Sequence, residues 1–312
     1  KEIFFRLAET SDVIIEGFRP GVANRLGVDY QTIHERFPGI VYCSISGYGQ
    51  TGPWRDKAGH DINYLATAGI LDLIGPAQGP PSIPGIQIAD IGGSMNGVIG
   101  ILLALIARNR TGTGQYIDIS MTDSLLGFLS LPHYFYSCSG KPPQRSDELL
   151  SHRYGCYNTY ATSDGSYIAV GALEHRFWQR LCISIGLDEY IDCQFDDERR
   201  EEIIAALRRV FLQKSGAQWE RHFGDDDVCC TRIITLEEMD QHPLFKAREM
   251  FVDRDQHDSA ISKALGISIK ISDTPGAIRT APAHFGQHNE EILSGLGYSE
   301  AQVDDLRARN II

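Results

Sequence analysis

Between Ile91 and Ala107 the chain carries no charge, and inside that stretch stands Ile101-Leu102-Leu103-Ala104-Leu105-Ile106. Such a run has to leave water, either into a bilayer or against a protein interior. Its length is at the lower limit for a span, it holds Gly92, Gly93, Gly97 and Gly100 with Ser94 and Asn96, and no second stretch matches it. A buried core helix is therefore expected. The glycines at 93, 97 and 100 would let a neighbouring backbone or a ligand come close to it.

Around that helix the hydrophobic pattern alternates between the two regular periods. Helices are expected at Ile3 to Ala8, Tyr30 to Arg36, Ile91 to Arg108 and Thr122 to Ser137, with strands at Val13 to Ile15, Ile40 to Ser46 and Tyr116 to Ser120. This order predicts an α/β fold with a largely parallel sheet. A polar run from Ser139 to Arg153, with Pro142 and Pro143, reads as a linker to a second region. That region carries a strand at Tyr167 to Gly171 and helices at His175 to Ile185 and Glu201 to Gln213. Near the end, Gly297 stops one helix, and Ser299-x-x-Gln302 opens a last one as a capping box. Gly47-x-Gly49-x-x-Gly52 scans as a dinucleotide fingerprint, but Pro53 and Trp54 stand where a helix should open. A loop beside a cleft is expected there, without a nicotinamide cofactor.

With 312 residues and 42% hydrophobic content the chain can bury a large core and form more than one domain. A net charge of −12 argues against a broad nucleic-acid surface or an anionic-membrane anchor, since both need clustered Lys and Arg. The seven cysteines (43, 138, 156, 182, 193, 229 and 230) show no zinc spacing. They read as reduced thiols in the cytosol, and no metal site is expected.

Chemistry is suggested by Ala58-Gly59-His60-Asp61-Ile62-Asn63-Tyr64, followed by an isolated Asp90 in Ile88-Ala89-Asp90-Ile91-Gly92-Gly93. An imidazole and a carboxylate can between them remove a weakly acidic C–H proton and return one on the other face. Asp90 is expected just ahead of the apolar helix, where the helix N-terminus would hold it ionised and offer free N–H groups to a substrate oxyanion. Taken singly, each residue also has a plain reading, Asp90 as an N-cap and His60 as a solvated loop side chain. The other histidines (34, 133, 152, 175, 222, 242, 257, 284 and 288) have no motif support and are read as structural or solvated.

Together with Glu16-Gly17-Phe18-Arg19-Pro20-Gly21, Arg25-Leu26-Gly27, Ser46-Gly47-Tyr48-Gly49-Gln50-Thr51-Gly52-Pro53 and Arg110-Thr111-Gly112-Thr113-Gly114-Gln115, these segments resemble the family III (CaiB/BaiF) CoA-transferases, which include the α-methylacyl-CoA racemases. The resemblance runs to the tail from Pro282 to Ile312. It implies a large Rossmann-like domain from residues 1–140 and 275–312, a smaller α+β domain from 141–274, and an interlaced homodimer. It also implies a further β/α segment ahead of Lys1 that helps to hold the CoA nucleotide.

The resemblance further implies the site. The racemases carry Gly-His-Asp-Ile-Asn-Tyr, whereas the transferases carry Tyr or Phe in place of His60. His60, Asp90 and Glu174 are then the catalytic candidates, with Glu174 of one subunit supporting His60 of the other. Arg19, Arg25, Gly59, Asp61 and Tyr64 are the CoA-binding candidates, with Arg55 and Lys57 as weaker ones. The implied activity is racemisation of a 2-methylacyl-CoA, with no cofactor beyond the CoA of the substrate. Two alternatives stay open: CoA transfer between carboxylic acids through an acyl-aspartate at Asp90, or a non-catalytic acyl-CoA-binding or scaffold dimer.

Overall fold

The computed structural model describes residues 1–253, 263–280 and 282–312, so His257 lies outside the described residues. Its first half is organised by a parallel sheet of β1 (Val13–Glu16), β2 (Val41–Ser46) and β3 (Tyr116–Ser120), in that spatial order. The central strand, Val-Tyr-Cys-Ser-Ile-Ser, has no charge because it is covered on both faces, as parallel strands usually are. Helices at Glu2–Glu9 and Tyr30–Arg36 precede β1 and β2. The second of them starts where the Asp29 carboxylate accepts the Thr32 N–H at 3.2 Å. Ala8, Ile14, Ile33, Ile40 and Tyr42 form the core between these helices and the sheet.

The apolar run lies in a 24-residue helix, Ile88–Thr111, that crosses from β2 to β3. It starts three residues earlier than expected and is not a buried core helix. By length and composition it could cross a membrane, yet only 28% of its apolar window is buried within the chain. The reason is a division of faces. Gly93, Gly97, Gly100 and Ala104 turn toward β2, β3 and the residues after them, where a Cβ on Gly97 would lie 3.1 Å from Ile45 and one on Gly100 3.1 Å from Ile117. The opposite face leaves Met95, Val98, Leu102, Leu103 and Ile106 exposed.

Thr122 to Ser137 is not one helix either. A turn of α-helix at Met121–Ser124 passes into a 3₁₀ segment at Leu125–Leu129 before a new helix runs from Ser130 to Ser139. Pro132 accounts for the break, because its ring excludes the carbonyl four residues back and its nitrogen has no proton to donate.

The second half is built on an antiparallel sheet of β4 (Tyr157–Ala161), β5 (Tyr167–Gly171) and β6 (Cys230–Arg232). Sequence periodicity anticipates only the middle strand. Helices at His175–Ile185, Arg200–Phe211 and Gly216–Phe223 cover one face of it. Their buried Trp178, Leu181, Leu207, Phe211 and Trp219 form the largest core. The two buried indoles are satisfied by backbone carbonyls, Trp178 donating to Tyr190 at 2.9 Å and Trp219 to Phe211 at 2.8 Å. A short pair of β7 (Phe251–Asp253) and β8 (Lys263–Leu265) follows.

The connection expected as a linker is irregular but not loose. Arg145 donates to the Asp72 and Gly79 carbonyls at 2.7 and 2.8 Å and pairs with the Asp72 carboxylate, while the Ser146 hydroxyl donates to the Gly75 carbonyl at 2.6 Å. At the C-terminus, Gly297 has φ +81° after the Asn289–Gly295 helix, and Ser299 with Gln302 forms the capping box of the Glu300–Ala308 helix, both as read from the sequence.

Candidate active site

Two short pieces of chain meet at the C-terminal side of β2. One is the turn Gly59-His60 that opens the Asp61–Thr67 helix, and the other is the first turn of the Ile88–Thr111 helix. Tyr64 seats the first piece. Its ring is buried and passes so close to Gly47 and Gly59 that a Cβ would fall 2.4 Å from it at one position and 2.7 Å at the other. Its hydroxyl donates to the Gly59 carbonyl at 2.6 Å, and Tyr48 packs edge-on against it at 5.2 Å. The His60 N–H is held by the Asn63 side-chain oxygen at 3.0 Å, and the His60 side chain is exposed.

Asp61 joins the two pieces. Its Oδ2 accepts the Ala89 N–H at 2.7 Å and the Asp90 N–H at 3.4 Å. Asp90 is therefore not ahead of the long helix but the third residue within it, and the capping carboxylate comes from another helix. Two N–H groups expected to face a substrate oxyanion are already occupied. The helix end does not set the direction of the shift at Asp90: its carboxyl is raised above its ordinary value, first by desolvation and next by the Asp61 carboxylate, while His60 pulls it back down.

The structure thus brings His60, Asp61, Tyr64 and Asp90 to one place. Arg19 joins them at longer range: it lowers the pKa of the Tyr64 hydroxyl, which burial, Tyr48 and Asp90 raise. Arg25 lies in the neighbouring Val22–Leu26 helix with its guanidinium 3.6 Å from where a Cβ on Gly21 would stand. Arg55 and Lys57 are engaged locally, with Asp56 at 3.5 Å and over the Trp54 ring at 3.4 Å. Of the expected CoA contacts, Gly59 and Tyr64 are used to hold the turn and Asp61 to cap the helix.

Glu174 is not brought to His60 within the chain. It stands exposed as the N-cap residue of the His175–Ile185 helix, and its side chain caps nothing. Its charge is felt by Cys229, whose thiol is raised by desolvation, Asp227 and Glu174 and lowered by Arg176. Among the described residues no three His, Cys, Asp or Glu side chains gather as metal ligands. Two participants escape the sequence reading, the brace from Asn63 and the cap from Asp61. The second leaves no local signal, since its partners lie 28 and 29 residues away.

The mixed α/β fold agrees with what the comparisons find. The CoA-transferase family III model matches residues 1–289, and the chain belongs to that family. It is 33% identical to alpha-methylacyl-CoA racemase of Homo sapiens over 311 residues, covering 98% of this chain and 80% of the other. It is 30% identical to succinyl-CoA–D-citramalate CoA-transferase of Chloroflexus aurantiacus, covering 98% and 78%. Among solved structures it resembles a CaiB/BaiF family protein from Brucella suis at TM-score 0.82 and 29% identity, covering 95% and 78%. The protein is thus an acyl-CoA racemase or a CoA-transferase of family III.

Proposed function

We propose that the protein racemises the α-carbon of a 2-methylacyl-CoA thioester. The observation that carries this reading is the bond from Asp61 to the first turn of the long helix, which holds the His60 turn and Asp90 together as a pair of proton-transfer groups. One of the two takes the α-proton, and the C–H electron pair moves onto the thioester oxygen as an enolate. The other then gives a proton to the opposite face, and the roles reverse for the opposite enantiomer. The raised pKa of Asp90 suits a group that must be met in both protonation states. Arg19 and Arg25 would hold the CoA phosphates, and no further cofactor is invoked.

We further propose that two copies complete the site. The exposed apolar face of the long helix suits burial against a second copy. Glu174, free in one chain, would then support the partner's imidazolium.

The rival within the family is CoA transfer, in which Asp90 becomes a covalent acyl-aspartate. Incubation with an acyl-CoA, trapping with hydroxylamine or borohydride and mass spectrometry separates the two. We expect Asp90 to stay unmodified. An adduct at Asp90 that depends on acyl-CoA, with a free acid accepting CoA, would make the protein a transferase.

A further inference from the structure

We propose that Asp61 is the positioning residue of the proton-transfer pair: its carboxylate binds the His60 turn to the first turn of the Asp90 helix and keeps a negative charge beside the Asp90 carboxyl. The inference rests on the two-base reading above and adds a residue to it.

Three observations support it. The Asp61 carboxylate is bonded across 28 residues to the Ala89 N–H at 2.7 Å and more weakly to the Asp90 N–H, so it fixes one helix start against the other. It is the immediate neighbour of His60, whose own N–H is braced by Asn63, so the backbone that carries the imidazole is held beside the cap. It also satisfies N–H groups that would otherwise favour an ionised Asp90. Asp90 is faced by His60 and Asp61 from one helix start, by Tyr64 one turn further on, and by Arg19 beyond Tyr64. Of these only Asp61 is an anion. Desolvation is the first influence that favours the protonated Asp90, Asp61 adds its repulsion to that, and the bonds from Asp61 set where Asp90 stands.

Asp61→Asn and Asp61→Ala divide the two roles, because the amide keeps an acceptor oxygen for the Ala89 N–H and loses the charge, whereas alanine loses both. Two readouts are needed: the pH profile of kcat/KM for α-hydrogen exchange, in the direction where Asp90 is the base, and titration of the ¹³C-labelled Asp90 carboxyl by NMR. For Asp61→Asn we expect the acid limb and the Asp90 titration to move together to lower pH, with KM nearly unchanged. Asp61→Ala should show the same movement and a further drop in kcat, roughly tenfold, from lost orientation. An Asp90 titration unchanged in Asp61→Asn would overturn the electrostatic role, and equal kcat for the two variants would overturn the positioning role. The NMR titration does not need turnover, so a wild-type protein without exchange would refute the racemase reading while the Asp61 test still gives its own answer.

Discussion

At Asp90 the fold works against itself, and the sign of the effect can be measured. A carboxyl whose folded pKa lies above its unfolded value, about 3.9, destabilises the fold wherever it is ionised. Below the unfolded value the penalty is absent; it grows as pH rises from the unfolded to the folded value and is complete above the latter. Asp90→Asn should therefore raise the denaturant midpoint at neutral pH, and the gain should close on acidification to about pH 4. A midpoint lowered at neutral pH would mean that the helix end outweighs desolvation and Asp61 at this carboxyl. Among the basic residues, Arg19 and Arg25 form no ion pair among the described residues, which suits the proposed contact with CoA phosphates. Replacing either by Ala should raise KM up to roughly fivefold, about 1 kcal/mol for an exposed contact, with little change in kcat. Unchanged affinity in both variants would move the nucleotide site elsewhere. His60 and Asp90 are legible as a pair from residue type, but the Asp61 cap is not, because nothing in the local pattern marks a bond to a helix that starts so much later in the chain.

Elements with an unbroken hydrophobic period were read close to their true bounds, as at Tyr30–Arg36, Tyr116–Ser120 and His175–Ile185. The misses have physical causes. β4, Tyr-Asn-Thr-Tyr-Ala, and the three-residue β6 are too short or too polar to stand out from loops, and they are strands because β5 lies between them. The helix expected over Thr122 to Ser137 keeps its apolar period through a break that only Pro132 signals. At Gly114, between the long helix and β3, an added Cβ would stand 2.0 Å from the Ile40 carbonyl oxygen. Because that neighbour is backbone, Gly114→Ala should cost about 1 to 3 kcal/mol of stability, read as a lowered denaturant midpoint. An unchanged midpoint would show that the two segments can part without loss.

For the whole molecule, the consequential misreading is the burial of the long helix. Its sequence is apolar all round, which is why a buried core helix was the natural expectation, yet one chain covers only the glycine-bearing face. Single-chain periodicity cannot tell an interior from an interface. If a second copy covers the other face, Leu102→Glu with Leu103→Glu should yield monomers in sedimentation at micromolar concentration and remove activity, because Glu174 would no longer reach a partner's site. A double variant that keeps wild-type assembly would remove that face from the interface. The central claim, proton exchange at an α-carbon by His60 and Asp90, is tested most directly in deuterated water. The protein should introduce deuterium at C2 of both the R and the S forms of a 2-methylacyl-CoA, and His60→Ala should slow this by roughly 10² to 10⁴. Exchange that persists at the wild-type rate in His60→Ala, or that occurs from neither enantiomer in the unaltered protein, would contradict the account.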